Sequence, residues 1–182
     1  EKKIINRIVK PTLKALKKRK NPYTGFLYVG LMIKNKEPYL IEYNVRMGDP
    51  ECQVIMPRLK TDLIKIINAA LNNKLNKIRI KWSNNKCMTT VLCSNGYPGK
   101  YTTGKQINLK KIRLNKKSFI YHAGTKFKRN SLLSNGGRVL NVVVLGNSFL
   151  KIREQILIIL KKINWKYGFF RRDIGWKIIK FK

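Results

Sequence analysis

Tyr39-Leu-Ile-Glu-Tyr-Asn-Val-Arg-Met-Gly-Asp-Pro-Glu-Cys-Gln53 is the stretch on which the reading of this chain turns. Its first half is apolar, and its polar groups then arrive at fixed intervals. Successive side chains of a β-strand alternate faces, so Glu42 and Asn44 share one side and Tyr43 takes the other. A carboxylate and an amide carbonyl side by side suit a hard cation such as Mg²⁺ held together with phosphate oxygens and water. Arg46 continues that face if the strand persists, adding a planar fork matched to phosphate. Gly48-Asp49-Pro50 then turns the chain and leaves Asp49 and Glu51 near the strand end. The stretch reads as a metal–phosphate site, although Glu-x-Asn-x-Arg alone also suits the solvated face of an edge strand.

Working outward, residues 24–33 and 38–45 read as two strands joined at Asn35-Lys36, with Gly25 and Gly30 marking a bulge or a close approach. Residues 3–19 carry Ile4, Ile5, Ile8, Val9, Leu13 and Leu16 at helical spacing, with Pro11 predicting a kink. A second helix is expected over 58–72, capped by Thr61 or Asp62. The polar run 72–76 is the expected boundary between a unit at 1–75 and one at 76–182. Strands are expected at 78–82, 88–93, 118–122, 138–145 and 175–181, a tight turn at 96–99, and a helix over 149–162 started by Asn147 or Ser148. The fold class is therefore α+β.

The 182 residues carry 41 Lys+Arg against 8 Asp+Glu, a formal charge of +33. Such a charge points toward nucleic acid. The lysines are nevertheless dispersed, the chain is rich in Lys, Ile and Asn, whose codons are rich in A and T, and no nucleic-acid-binding signature stands out. Drift in composition is the favoured account, with non-specific attraction of anions as its consequence. No apolar run reaches about 18 residues, so no membrane span is expected, and no signal peptide is visible. Cys52, Cys87 and Cys93 form no CxxC pair and, with the single His122, make a poor zinc set. Reduced thiols and a cytoplasmic location follow as expectations. A start at Glu1 without an initiator Met suggests a fragment or a processed piece.

Several ordered motifs carry a resemblance: Pro22-Tyr-Thr-Gly-Phe-Leu-Tyr-Val-Gly-Leu-Met32, the Ile41–Gln53 stretch, Gly96-Tyr-Pro-Gly-Lys-Tyr-Thr-Thr-Gly104, Tyr121-His-Ala-Gly-Thr-Lys126, Ser134-Asn-Gly-Gly-Arg-Val-Leu140 and Arg171-Arg-Asp-Ile-Gly-Trp176. Together they resemble the phosphoribosylamine–glycine ligase (glycinamide ribonucleotide synthetase) family of ATP-grasp ligases. The resemblance implies the C-terminal part of an ATP-grasp core over 1–75 and a small mixed-sheet C-terminal domain over 76–182. It implies ATP and Mg²⁺ (or Mn²⁺) as cofactors and glycine and 5-phosphoribosylamine as substrates, joined through a glycyl phosphate. Glu42 and Asn44 fall on the family's metal ligands, Arg46 on its γ-phosphate contact, and Asp49 on a carboxylate that holds a substrate amine. Glu51 either assists or stabilises a helix N-terminus. Lys126 and Arg138 are the candidates for the ribose 5-phosphate, against ordinary surface charge. His122, Tyr97, Trp165 and Trp176 are read as structural.

Two departures stand out: Met47 where the family has Phe, and Asn95 in place of the first Gly of a pair before Tyr97. The family's N-terminal domain, nucleotide lid and most of its core have no counterpart in these residues. No turnover is expected from this stretch alone, and a monomer is expected. A basic nucleic-acid-binding protein or a non-catalytic remnant of the ligase are the alternatives.

Overall fold

In the computed structural model, which describes residues 1–180, strands β1 (Tyr28–Lys34) and β2 (Glu37–Asn44) form an antiparallel ribbon. Asn35 and Lys36 both take positive φ, the backbone of a two-residue hairpin turn whose twist matches that of the strands. A bulge between Gly30 and Leu31 shifts the register, so that Gly30 faces Glu42 while Leu31 faces Leu40. The ribbon begins at Tyr28, later than the expected residue 24.

The chain enters through helix α1 (Lys2–Ile4), a π-helical turn Ile5–Val9 and helix α2 (Lys10–Lys18). Pro11 has no N–H to offer its preceding turn. Here Lys10 N–H reaches Ile5 O, five residues back, and this wide turn carries the helix into the proline, the local irregularity that Pro11 predicts. Lys3 and Arg7 both donate to Glu37, and Tyr43 OH meets Thr12 Oγ1 at 2.5 Å. Tyr43 thus points toward the helix, and Glu42 and Asn44 take the other face, as alternation requires.

After the ribbon come α3 (Cys52–Ile55), a 3₁₀ turn Met56–Arg58, and α4 (Leu63–Leu71). The single helix expected over 58–72 is therefore shorter. Leu59 is extended and bridges Trp82. Asp62 starts α4 by accepting Lys65 N–H at 2.9 Å, and Leu63, Ile66, Ile67, Ala69 and Ala70 form its inner stripe. Residues 78–82 make no strand beyond that one bridge.

The remaining elements are β3 (Lys86–Ser94), β4 (Ser118–His122), β5 (Thr125–Lys128), β6 (Ser131–Ser134), β7 (Arg138–Gly146), α5 (Phe149–Ile163), β8 (Gly168–Phe169) and α6 (Trp176–Lys180). Their main sheet runs β4-β7-β3-β8, and where a mixed sheet is expected every pairing is antiparallel. β5 and β6 form a separate hairpin turned by Arg129 and Asn130, both at positive φ. The C-terminal strand expected at 175–181 is helix α6 over its described part; residue 181 lies outside the described residues.

Two compact units emerge, one of Glu1–Asp49 with Thr61–Ile80, the other of Pro50–Lys60 with the residues from Lys81 onward. The expected boundary at 75/76 lies near only the last of these crossings. In the second unit, β3 alternates: Met88, Thr90, Leu92 and Ser94 are buried on one face, paired with Val144, Val142 and Leu140 of β7. Ile152, Ile156, Ile159, Leu160 and Ile163 of α5 pack there, each contributing about 1.5–3 kcal/mol of apolar burial. On the other face Asn141 and Val143 are also buried, and α3 packs against β3 and β7. That packing is why Pro50–Lys60 belongs to this unit.

Candidate functional site

Glu42 lies directly opposite Gly30 across the ribbon. A Cβ on Gly30 would stand 2.9 Å from Glu42 Cγ, so glycine is what lets the acidic side chain lie across its neighbour strand. Asn44 Nδ2 donates to Glu42 Oε1 at 3.0 Å. The pair is thus side by side, with Glu42 exposed and Asn44 half-buried. Glu42 Oε2 and Asn44 Oδ1, the oxygens outside that bond, are the hard-donor set that a Mg²⁺ or Mn²⁺ ion sharing phosphate oxygens and water would use. Among the described residues no group of three or more His, Cys, Asp and Glu could hold a metal by itself. The fit is to a metal shared with a ligand.

β2 ends at Asn44, and the chain bends at Val45-Arg46. Arg46 therefore does not extend the strand face. Its Nη1 donates to the Met47 carbonyl at 2.8 Å, and the guanidinium is exposed. Asp49 is exposed and ends the first unit's segment. Glu51, in the second unit, is the residue before α3, and its carbonyl accepts Val54 and Ile55 N–H. Its side chain makes no cap bond to the helix.

The second unit holds a cavity of about 470 Å³ lined by Thr89, Val91 and Cys93 of β3, Tyr97 and Pro98, Arg138 of β7, and Phe169, Phe170 and Arg171. Gly137 makes one wall possible, since a Cβ there would stand 2.1 Å from the Tyr97 ring. Arg171 is held by Asp173 in a two-point fork, Nε to Oδ1 at 3.0 Å and Nη2 to Oδ2 at 2.6 Å. That pairing pushes the carboxyl of Asp173 below its ordinary range. Thr89 Oγ1 is buried without a hydrogen-bond partner, as is Asn141 Oδ1. Burial raises the Cys93 thiol, with Arg138 opposing, and pushes Cys87 up to about 11.

Of the two expected phosphate ligands, Arg138 lines this cavity, whereas Lys126 stands exposed on β5 and does not. His122 Nδ1 pairs with Thr125 Oγ1 at 3.0 Å. Trp165 is buried and donates Nε1–H to Gln106 O at 2.9 Å. Sequence reasoning passes over Thr89 and Arg171. Arg171 does open one of the quoted motifs, and that was its available signal.

Residues 87–177 match the family model "Phosphoribosylglycinamide synthetase, C domain", and residues 1–52 match "Phosphoribosylglycinamide synthetase, ATP-grasp (A) domain". The phosphoribosylamine–glycine ligase of Agrobacterium fabrum is 43% identical over 173 residues, covering 94% of this chain and 40% of that protein. The enzyme of the same name from Caldanaerobacter subterraneus is 41% identical over 180 residues, covering 96% and 42%. The chloroplastic one of Arabidopsis thaliana is 41% identical over 184 residues, covering 98% and 35%. The crystal structure of phosphoribosylamine–glycine ligase from Thermotoga maritima superposes with a TM-score of 0.78 at 30% identity, covering 93% of this chain and 41% of that one. The chain spans about two fifths of the length of most of these relatives. By sequence and by fold, this chain belongs to the phosphoribosylglycinamide synthetase family.

Proposed function

We propose that this chain supplies the metal end and one substrate wall of an ATP-dependent phosphoribosylamine–glycine ligase of purine synthesis. The first unit, Glu1–Asp49 with Thr61–Ile80, completes an ATP-grasp core, and the second forms the ligase's C-terminal domain. A glycine carboxylate is inert toward amines until it carries a leaving group. It takes the γ-phosphoryl of ATP, releasing ADP, and the amine of 5-phosphoribosylamine then displaces phosphate from the acyl carbon. Such chemistry needs charge stabilisation and positioning, with no protein nucleophile.

Glu42 and Asn44 would hold Mg²⁺ or Mn²⁺, which when bound neutralises charge on the phosphates. Arg46 meets the γ-phosphate, Asp49 the substrate amine with Glu51 in support, and Arg138 the 5-phosphate. The carrying observation is the Glu42–Asn44 pair, 3.0 Å apart in its hydrogen bond and accommodated by Gly30. Exposed apolar residues on the ribbon, among them Met32, Ile33, Tyr39 and Ile41, offer the surface on which the rest of such a core would pack. No helix among the described residues is long and apolar enough to cross a membrane. A cytoplasmic monomer is the arrangement we propose.

The test is glycine-dependent ADP formation by a full-length ligase carrying these 182 residues, given Mg-ATP and fresh phosphoribosylamine. Glu42→Gln lowers turnover by about two orders of magnitude. The 182-residue chain alone forms no ADP. Undiminished turnover in the variant removes the metal assignment, and turnover by the chain alone removes the claim that it is one part of the site.

A further inference from the structure

We infer that a second cavity of this unit, walled by Arg58, Trp82 and Cys87, is a binding site for a small monocarboxylate with an apolar body. None of the residues assigned to the ligase reaction lines it, so the inference stands apart from that reading.

The cavity forms where the segment Pro50–Lys60 meets the residues from Lys81 onward. Val54 and Ile55 of α3, Arg58 of the 3₁₀ turn, Trp82, and Cys87 of β3 line about 380 Å³, a volume within the range of small-molecule pockets. Backbone bonds fix its rim. Ser83 N–H donates to Arg58 O at 2.7 Å and Lys60 N–H to Lys81 O at 3.0 Å, on either side of the Leu59–Trp82 bridge. This short ladder holds the Trp82 backbone against the turn that carries Arg58.

Arg58 points to the charge of the ligand. Its Nε is buried without a hydrogen-bond partner, and its Nη2 reaches the Ser83 carbonyl only at 3.3 Å. Among the described residues it forms no ion pair. A buried donor left unpaired is costly, and more so on a charged group. With 8 acids against 41 basic residues, the chain has few carboxylates of its own to offer. A carboxylate brought by a ligand would accept Nε–H and balance the charge together, in the fork geometry that guanidinium and carboxylate share.

The other walls select the rest of the molecule. Val54 and Ile55 are aliphatic, Trp82 presents a large flat ring, and Arg58 is the sole cation among the lining residues. One cation suits one negative charge, whereas a phosphate dianion would hold its second charge against apolar walls. Cys87 adds no anion, because burial pushes its thiol up to about 11 against the opposing effect of Arg58.

The probes are benzoate and 3-methylbutanoate, titrated into the ¹⁵N-labelled 182-residue chain at near-physiological salt, with benzamide and inorganic phosphate in parallel. Benzamide keeps the ring without the charge, and phosphate keeps the charge without an apolar body. Saturable shifts are expected at the Trp82 indole and at the amides of Val54, Ile55, Arg58 and Cys87. Benzamide should bind at least about tenfold more weakly than benzoate, and phosphate should give no saturable shift there. Arg58→Gln weakens benzoate roughly tenfold or more and leaves benzamide unchanged, and Arg58→Lys restores part of the loss, since an ammonium lacks the fork. Benzoate also slows alkylation of Cys87 but not of Cys93, which is outside this lining.

The inference is overturned if neither carboxylate binds saturably, if benzamide binds as tightly as benzoate, or if a folded Arg58→Gln chain binds benzoate undiminished. Shifts scattered over surface lysines that vanish with salt overturn it as well. The comparison of benzoate with benzamide uses the unaltered chain, so it decides the matter even where Arg58→Gln does not fold.

Discussion

Gly30→Ala separates positioning from folding more sharply than removal of a site residue does. The added Cβ would lie 2.9 Å from Glu42 Cγ, 3.5 Å from Glu42 O and 3.6 Å from a Tyr28 ring carbon. Only the first is a clash. Carbon atoms rest at about 3.5–4.0 Å, so Glu42 Cγ must retreat by about 0.6–1 Å. Glu42 is exposed, so the side chain can yield without disturbing a core. Alanine in place of a strand glycine also recovers about 0.5–1 kcal/mol. Stability should therefore stay within about 1 kcal/mol of the parent, since the gain and the residual crowding are of similar size. The 3.0 Å bond between Asn44 and Glu42 should not survive the displacement. A misplacement of that size costs about a hundredfold in rate. The assay pairs denaturant unfolding with glycine-dependent ADP formation in the full-length ligase. Adding Glu42→Gln to Gly30→Ala should then cost much less than it does alone, because both act on one carboxylate. Full turnover in Gly30→Ala, or strictly additive losses, would refute the reasoning.

Two further outcomes follow from the second unit. Ile156→Ala, at a side chain with 0% exposure between α5 and the sheet, should cost about 2–5 kcal/mol, read as an earlier denaturant midpoint by circular dichroism. A midpoint unchanged within error would mean that α5 is not the core helix. Cys87, lifted by burial from an ordinary 9.0 to about 11, should be alkylated at about pH 8 far more slowly than a small thiol of ordinary pKa, since two units mean roughly a hundredfold less thiolate. Because the folded thiol holds its proton more tightly than the unfolded one, this contribution to stability is complete below pH 9 and is lost as pH climbs toward 11. Mass-spectrometric alkylation rates check the first statement and unfolding midpoints across that range the second.

What could be read from the sequence is what two-residue and four-residue periods specify. The placement of Glu42 beside Asn44 follows from strand alternation alone, and the inner stripe of α4 from helical spacing. The ribbon turn followed from its position between two alternating runs. The β5–β6 hairpin turns the same way, through Arg129-Asn130, yet its four-residue strands, with Phe127 alone between lysines and Leu132-Leu133 adjacent, show no sustained alternation. Ile78-Arg-Ile-Lys-Trp82 shows the opposite failure. Its alternation is genuine, with Ile78 and Ile80 half-buried and Arg79 and Lys81 exposed. A strand also needs a ladder partner, and only Trp82 finds one. The helix at Trp176–Lys180 was misread because Ile178-Ile179 flanked by lysines fits either period over so few residues.

The compact units divide the chain elsewhere than the expected 75/76 boundary, for a reason that bears on the site. A polar stretch such as Asn72–Asn76 marks a loop, and a loop is not a boundary unless few contacts cross it. The decisive feature is instead the apolar face of Pro50–Lys60, which covers the side of the β3–β7 sheet away from α5. Composition cannot reveal that, because Val54, Ile55 and Met56 look the same whichever unit they cover. The consequence is that the stretch quoted at the outset is divided. Glu42, Asn44, Arg46 and Asp49 belong to one unit, and Glu51 to the other. The Glu42–Asn44 pair, set by local alternation, and the segment that packs on the second unit's sheet, set by long-range packing, thus meet in the sequence at Asp49-Pro50. Truncating the chain at residue 75 keeps the Glu42–Asn44 pair but removes the sheet that Pro50–Lys60 covers. Its apolar side chains would then be exposed, so the fragment should aggregate or fail to form α3, as light scattering and circular dichroism would show.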